Sequence, residues 1–303
     1  MRQFVEDMWY KPRWYHWAVS LIFLPLSVIW ATVMMARRFL ATPKNFSIPI
    51  VSVGNLQVGG TGKTPFVIAL ASKFRDAWVV SRGYGRDSKG LVWVSDKGKI
   101  LASVKTSGDE AYLIASMLKE HSVVVSEDRV SGIEFAKQKG AKVILLDDGF
   151  SQVAIDKLEI LLFPNTIPNR LPMPSGPYRE WWWLAKKGHI VAIEQRDFQR
   201  EVTFDNLTSR MVLVTAIANP QRLDKYLPQG VVAKYYLPDH AYFNKEHLLS
   251  LLSEYRATSL LVTQKDSVKI EDFKLPISVI KLKLNLKKKL LDEVENYIKG
   301  YTK

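Results

Sequence analysis

Residues 52–65 read SVGNLQVGGTGKTP, and this stretch determines how the rest of the chain is interpreted. It follows a short apolar run at 48–53 that predicts a buried strand. An apolar run at 66–74 comes after it and predicts a helix, in whose first turn Pro65 is tolerated. A glycine-rich turn between a strand and a helix is the context of a phosphate-binding loop. The stretch therefore predicts an α/β fold of the P-loop NTPase type with a mostly parallel sheet.

The residues of this loop have separate expected roles. The glycines let the backbone turn tightly and point its N–H groups inward, and the helix start adds partial positive charge. Lys63 is expected to reach the terminal phosphates of a nucleotide, and the Thr64 hydroxyl to bind Mg²⁺. The expected cofactor-binding residues are Gly59, Gly60, Thr61, Gly62, Lys63, Thr64 and Pro65. Gln57 stands where the usual motif has its first glycine, and the alternative interpretation is a glycine-rich structural turn.

Composition indicates a globular protein with an anionic partner. The 303 residues are long enough for two domains, and 47% hydrophobic with 24% charged residues is ordinary for a folded chain. The formal net charge of +13 favours phospholipid, nucleic acid or a phosphorylated substrate as partner. Because the chain has no cysteine, disulfides and thiolate metal sites are excluded.

An uncharged segment near the N-terminus indicates contact with a membrane. Residues 17–36 carry no charge, aromatic residues crowd the positions before them, and Arg37 and Arg38 follow directly. Such a run can just span a hydrocarbon core, and aromatic residues with flanking cations are typical of membrane interfaces. Three interpretations stay open: a spanning helix, a helix lying in the interface and a buried core helix. Positive charge on both flanks favours the interfacial helix.

A second apolar strand ends in acidic residues. Residues 142–149 read KVILLDDG, so Asp147 and Asp148 come at the end of a predicted buried strand. P-loop proteins use an acidic residue in this position to hold Mg²⁺ and its water. The pair is weak as an isolated signal and becomes more specific beside the predicted P-loop. We expect Thr64, Asp147 and Asp148 to be the metal-binding residues.

The remaining pattern predicts three segments in order. Residues 1–44 form a membrane-associated segment, 45–208 a nucleotide-binding kinase domain, and 209–303 a smaller α/β domain of alternating strands and helices. The proline-rich stretch 169–180 predicts a long functional loop, and the polar stretch 197–208 a linker. Three adjacent tryptophans at 181–183 cannot all face one core, so we expect at least one to be exposed.

Considered one at a time, the other residues that could take part in catalysis have structural interpretations. Asp109 and Glu110 fit the first turn of a helix, where acids complement the partial positive charge. His240 fits a loop or a core position.

Together, the motifs resemble the tetraacyldisaccharide 4′-kinase family. The matching stretches follow one another along the chain: 53–55 with 59–65, 81–86, 108–110, 147–150, 174–180, 217–220, 238–240 and 263–266. The family's loop also lacks a glycine at the position of Gln57. Two positions depart from the family's pattern, since Ala241 replaces a frequent histidine and Ser151-Gln152 replaces Gln-His.

The resemblance implies a reaction and a set of site residues. The reaction is transfer of the ATP γ-phosphoryl group to the 4′-hydroxyl of tetraacyldisaccharide 1-phosphate, giving lipid IVA at the cytoplasmic face of the inner membrane. It implies ATP and Mg²⁺ as cofactors, and a lipid A precursor and the membrane surface as partners. We also expect no nucleic acid partner and a monomer. Asp109 matches the catalytic base and His240 its partner. Further matches to active-site positions are Lys63, Glu110, Arg129, Arg179 and Glu180.

Two other classes of protein compete with this interpretation. A partitioning-type P-loop ATPase would act as a partner-binding switch, but that group has a signature lysine where Val58 stands here. A non-enzymatic basic protein that docks on anionic membranes would explain the charge and the apolar segment. It would leave the P-loop and the acidic pair unexplained.

Overall fold

The computed structural model describes residues 2–59, 61–163, 168–183 and 189–301. The α-helices are α1 (Arg2–Tyr10), α2 (Trp14–Leu40), α3 (Lys63–Ala71), α4 (Val104–Ser107), α5 (Asp109–Met117), α6 (Arg129–Gln138), α7 (Lys245–Glu254), α8 (Gln264–Ile270) and α9 (Lys288–Gly300). The strands are β1 (Ile50–Gly54), β2 (Ala77–Ser81), β3 (Val92–Asp96), β4 (Lys99–Ile100), β5 (Ser122–Val125), β6 (Val143–Asp147), β7 (Leu158–Phe163), β8 (Ile190–Ile193), β9 (Phe198–Asp205), β10 (Met211–Thr215), β11 (Val231–Tyr236), β12 (Ser259–Thr263) and β13 (Ile277–Leu286).

The chain forms two compact units, each assembled from separate stretches of sequence. Unit 1 comprises Met1–Lys63, Val143–Phe198 and Leu286–Lys303. Unit 2 comprises Thr64–Lys142 and Gln199–Asn285. Neither unit is continuous in sequence, whereas the three domains predicted above are; those sequential boundaries stay a prediction.

Unit 1 contains four parallel strands in the order β6, β1, β7 and β8. All residues of β1 and β6 are buried, which explains their uninterrupted apolar character. A parallel strand that is covered on both faces has no solvent side and therefore shows no alternation. The carboxyl ends of β1 and β6 lie side by side, with Val53 opposite Asp147.

Helix α2 is the long apolar helix of unit 1, and its buried face is polar. The residues it buries are His16, Ser20, Ser27 and Ala31, which form one stripe along the helix. Large apolar side chains face outward, among them Ile22 at 74% and Ile29 at 61% exposure. The helix is long and apolar enough to cross a membrane. Because its apolar face is uncovered, the interpretation as a buried core helix is wrong.

Unit 2 contains one four-strand array and a separate five-stranded sheet. The array has the order β4, β3, β5 and β2, with β2 parallel to β5 and β3 antiparallel to it. The five-stranded sheet has the order β11, β10, β12, β13 and β9, and its first four strands are parallel. One face of this sheet packs against α7 and α8, with Leu248, Leu251 and Ile270 in its core.

The structure confirms the α/β class with mostly parallel sheets, and it corrects the prediction for 197–208. This stretch is the edge strand β9, which alternates partly buried and exposed residues. Val202 and Phe204 pack on the core, while the alternate residues face outward. The outward residues are polar, which is why the sequence of this edge strand resembled a linker. Trp183 is exposed, as expected for one member of the tryptophan triplet.

Candidate active site

The predicted phosphate-binding loop joins β1 to the first residue of α3. Gly59 and Gly62 have φ angles of +109° and +87°, which residues with a Cβ atom rarely adopt. The first turn of α3 consists of Lys63, Thr64 and Pro65. Proline fits there because N–H groups in the first turn have no partner within the helix, so its missing N–H costs no hydrogen bond. Thr61 lies in the loop between the two glycines. Gly60 lies outside the described residues.

The Lys63 ammonium group is held by two side chains of unit 1. It donates a 3.2 Å hydrogen bond to Asn55 Oδ1 and lies 3.6 Å from Asp148 Oδ1. Asn55 directly follows β1 and is fully buried. Sequence reasoning gave it no role, although its position between the strand and the glycines was a usable signal.

Asp147 and Asp148 occupy different environments at the end of β6. Asp147 is the last residue of the strand and is 3% exposed, while Asp148 has a left-handed φ of +53° and a side chain 39% exposed. Both carry the hard oxygen ligands that Mg²⁺ takes, and Mg²⁺ is commonly held by one or two carboxylates plus phosphate. Among the described residues, no group of three or more His, Cys, Asp or Glu side chains is arranged to hold a metal ion. The two carboxylates fit the oxygen donors of a Mg²⁺ ion whose other ligands would come from a nucleotide.

The proline-rich loop at 174–180 runs beside the phosphate-binding loop. Val58 N donates to Pro177 O, and Arg179 N donates to Leu56 O. The buried Gln57 side chain donates to Tyr178 Oη at 3.3 Å. Gln57 thus fixes the two loops to each other, which gives it a structural role in place of the missing glycine.

Two predicted residues of this loop have different partners. The Arg179 guanidinium lies 3.8 Å from Asp148 Oδ1 and is one-third exposed. Glu180 accepts two hydrogen bonds of 2.9 Å from Arg38, in the last turn of α2. The Arg38 guanidinium also lies 4.1 Å from the centre of the Phe150 ring. Glu180 therefore ties α2 to the loop that carries Arg179.

Helix α1 contacts the phosphate-binding loop directly, and both N-terminal helices contact the proline-rich loop. The Tyr10 hydroxyl, in the last turn of α1, donates to Val58 O, and burial raises the pKa of Tyr10 to about 12. Trp9 Nε1 donates to Pro174 O at 3.1 Å. The serines that α2 buries bond to the same proline-rich loop, since Ser20 donates to Ser175 O and Ser27 to Ser175 Oγ.

In unit 2, the structure brings Asp109 and His240 together. Asp109 is the first residue of α5 and is 5% exposed. His240 Nδ1 donates to its carboxylate at 3.0 Å from Oδ2 and 3.2 Å from Oδ1. His240 has a left-handed φ of +62°, and its N–H donates to Ala216 O at the end of β10. The Tyr84 ring lies 5.2 Å from the imidazole, centre to centre.

Two lysines of α8 complete this cluster. Lys269 Nζ lies 3.0 Å from Asp109 Oδ2, and Lys265 Nζ lies 3.1 Å from Glu110 Oε1. Lys265 also lies 3.4 Å from His240 Nε2. Neither lysine was predicted as a site residue. The available signal was the Thr-Gln-Lys-Asp motif at 263–266, which had no role assigned.

The cluster changes the proton affinities of its members. Burial opposes the charge on Asp109, but the hydrogen bond from His240 and the charges of Lys265 and Lys269 outweigh it and hold the pKa of Asp109 below its ordinary value. The hydrogen bond to Asp109 raises the pKa of His240 above its ordinary value, against the effect of burial. The arrangement is an ionised carboxylate that orients an imidazole of increased basicity.

Two other predicted residues of unit 2, Glu110 and Arg129, have different surroundings. Glu110 follows Asp109 on α5 and is ion-paired with Lys265. Arg129 begins α6, is 3% exposed and donates to Ser126 O at 2.6 Å.

Comparison with known proteins gives a consistent match. The model of the family described as tetraacyldisaccharide-1-P 4′-kinase matches residues 19–211 and 198–299. The tetraacyldisaccharide 4′-kinase of Helicobacter pylori strain ATCC 700392 is 47% identical over 302 residues, covering 99% of this chain and 96% of the relative. That of Campylobacter jejuni serotype O:2 strain ATCC 700819 is 40% identical over 298 residues, covering 98% and 96%.

A solved structure matches as well. The crystal structure of LpxK from Aquifex aeolicus, an "apo" form described as in complex with ATP, superposes with a TM-score of 0.73 at 25% sequence identity. The match covers 92% of this chain and 99% of the Aquifex chain.

Proposed function

The chain belongs to the tetraacyldisaccharide 4′-kinase family, and from this membership we propose that it phosphorylates a lipid A precursor. The γ-phosphoryl group of ATP moves to the 4′-hydroxyl of tetraacyldisaccharide 1-phosphate, and the product is lipid IVA. The reaction belongs to lipid A biosynthesis and takes place at the cytoplasmic face of the inner membrane. The outward apolar face of α2 supports the membrane location.

The loop of unit 1 supplies the nucleotide chemistry. Lys63 neutralises the β- and γ-phosphates, and the N–H groups of the glycine-rich turn bind their oxygens. Arg179 supplies a second cation, since its guanidinium lies 3.8 Å from the same Asp148 oxygen that Lys63 approaches. Asp147 and Asp148, with the Thr64 hydroxyl, would hold Mg²⁺, which would neutralise the negative charge of the phosphates.

The Asp109–His240 pair supplies the proton acceptor. As the 4′-oxygen forms its bond to the γ-phosphorus, the bond from that phosphorus to the β,γ-bridging oxygen breaks and ADP leaves. The hydroxyl proton passes to the Asp109–His240 pair. The observation that carries this proposal is the 3.0 Å contact of His240 Nδ1 with the buried Asp109 carboxylate, because a basic imidazole oriented by an ionised acid is suited to accept a proton.

The test is incubation of the purified chain with labelled ATP and tetraacyldisaccharide 1-phosphate in detergent. We expect label in a lipid product that carries a second phosphate, and ADP in equal amount. ATP hydrolysis that needs no precursor and labels no lipid would instead support the partitioning-type ATPase. Lys63→Ala serves as the inactive control.

A further inference from the structure

Lys269 has a buried side chain whose ammonium group lies against Asp109. Its side chain is 1% exposed, and Nζ lies 3.0 Å from Asp109 Oδ2. The same ammonium group donates to Ala241 O at 3.3 Å, next to His240 in the chain. A buried ammonium group is strongly unfavourable unless it is paired, so this contact is an integral part of the fold.

The helix that carries Lys269 is fixed to the backbone that carries His240. Thr263 caps α8 by accepting from Asp266 N. The fully buried Asp266 carboxylate accepts from Thr215 Oγ1 at 2.6 Å and from Ala216 N at 3.2 Å. Ala216 O in turn accepts from His240 N at 3.1 Å. Lys269 and His240 are therefore held by one hydrogen-bonded assembly.

The charges around the pair come from four segments. Glu110 belongs to α5, Asp239 precedes His240, and Lys265 and Lys269 belong to α8. Tyr84 packs on the imidazole from the loop after β2. Burial and the charges of Asp87 and Asp109 raise the pKa of the Tyr242 hydroxyl. Arg222, in the segment after β10, adds a positive charge that interacts with Asp239, and the buried Asp266 of α8 interacts with Lys269.

The two lysines differ in how firmly they are held. Lys265 is 19% exposed and is shared among Glu110, Asp109 and Asp239, at 3.1, 3.6 and 3.9 Å. Lys269 has Asp109 as its single ion-pair partner among the described residues. Both lysines favour the ionised form of Asp109. Lys269, which is held by this one carboxylate and by Ala241 O, is the lysine with the fixed geometry to orient it.

We propose that Lys269 is a positioning residue for the Asp109–His240 pair: it holds the Asp109 carboxylate ionised and oriented, so that the transferred proton rests on His240. In the reaction the O–H bond of the substrate hydroxyl breaks and an N–H bond forms on the imidazole, while Asp109 keeps its charge. The inference rests on the proposed function only for the identity of that hydroxyl.

The first test measures the protonation of His240 without substrate. The imidazole is titrated by NMR in the unaltered chain and in Lys269→Met, Lys269→Arg and Lys234→Met, each checked by a thermal melt. Lys234 is the matched control, because it pairs with Asp224 in the same unit and is 42% exposed. We expect the pKa of His240 to rise in Lys269→Met and to stay unchanged in Lys269→Arg and Lys234→Met. An unchanged His240 titration in folded Lys269→Met overturns the proposal, whether or not the chain has kinase activity.

The second test is kinetic. Lys269→Met should lower kcat by about 100-fold, the smaller end of what general base catalysis contributes, with little change in the KM for ATP. The acidic limb of its pH–rate profile should move to higher pH, and Lys269→Arg should recover most of the loss. A kcat close to that of the unaltered chain contradicts the proposal.

A double variant keeps this test decisive if Lys269→Met does not fold. Removing both charges in Asp109→Asn/Lys269→Met leaves no unpaired buried ion at this contact. If Lys269 acts only through Asp109, the double variant should have the same kcat as Asp109→Asn alone. Losses that multiply overturn the proposal. An unaltered chain without precursor-dependent activity would instead contradict the proposed function and leave the NMR test intact.

Discussion

His240 Nδ1 lies 3.0 Å from Asp109 Oδ2, although 131 positions separate the two residues in the sequence. Both belong to unit 2, and the contact joins the start of α5 to the segment that follows β11. Both partners of the predicted catalytic pair thus lie within one compact unit.

The first prediction concerns this pair. Asp109→Asn and His240→Ala should each lower kcat by about 10²–10⁴-fold, the usual contribution of general acid–base catalysis. The double variant should be little worse than the more damaging single variant, because residues that act as a unit are non-additive. Affinity for ATP should change much less than kcat. Asparagine begins a helix about as well as aspartate, so substantial activity in folded Asp109→Asn would mean that the carboxylate has only a structural role.

The second prediction concerns Lys63. Lys63→Ala should reduce phosphoryl transfer by on the order of 10²–10³-fold, because it removes a cation facing the phosphates and leaves Asp148 without that partner. The measurement is initial rate at saturating ATP, with circular dichroism to verify folding. The matched control is Lys73→Ala, which removes a lysine just beyond the end of α3. Near-normal turnover in folded Lys63→Ala would contradict the assignment of this loop as a phosphate-binding loop.

The third prediction concerns pH. The pKa of His240 is raised in the folded chain, so the stabilisation from its proton is complete below the unfolded-state pKa of about 6.5 and is lost as pH rises through the folded-state pKa. The pKa of Asp109 is lowered, so its contribution is present above about pH 3.9 and is lost only as pH falls towards its folded-state pKa. The pair therefore stabilises the fold most between about pH 4 and 6.5.

The measurement compares urea unfolding of the unaltered chain and of His240→Gln. The difference in unfolding free energy should be larger at about pH 6 than at about pH 9. His247→Gln is the control, because it removes an exposed histidine of α7 in the same unit. A difference that is equal at both pH values, or larger at the alkaline one, would contradict the ion pair.

The fourth prediction concerns the attachment of α2. Arg38→Ala should lower the free energy of unfolding by about 2 kcal/mol. This lies between the contributions of exposed and of buried ion pairs, because the Arg38 and Glu180 side chains are 21% and 12% exposed. Arg37→Ala, its neighbour with an exposed hydrogen bond to Ser151 O, should cost about 0.5 kcal/mol or less. Equal effects of the two substitutions on the unfolding free energy, measured in urea, would show that the Arg38–Glu180 contact contributes no more to stability than the exposed contact of Arg37.

The fifth prediction concerns the membrane. Ile22→Lys with Ile29→Lys should release much of the protein into the soluble fraction, because both side chains are exposed and a cation in hydrocarbon costs about 3 kcal/mol. Leu249→Lys is the control, an exposed leucine of α7. Substitution is a cleaner test than deletion of residues 1–40, which would also remove the contacts of Tyr10 and Arg38. Unchanged membrane recovery would assign the anchoring to another surface.

Much of this protein was determined by the sequence alone, because the deciding signals are local. The strand, glycine turn and helix at 48–74 follow from apolar runs and from positions where only glycine turns easily. The uncharged run at 17–36 gives an apolar helix, and the run before Asp147 gives a buried strand. Each signal lies within one or two turns of chain, where periodicity and propensity operate.

Only the tertiary structure decided which distant residues meet. The sequence could not show that Lys269 is buried against Asp109, because that contact depends on α5 packing beside α8. Nor could it show that α2 buries its serines and exposes its isoleucines, since the polar partners lie in the loop around Ser175. Which distant segments meet depends on the strand order and on single backbone angles, such as the left-handed φ of His240. Neither feature produces a periodic pattern in the sequence.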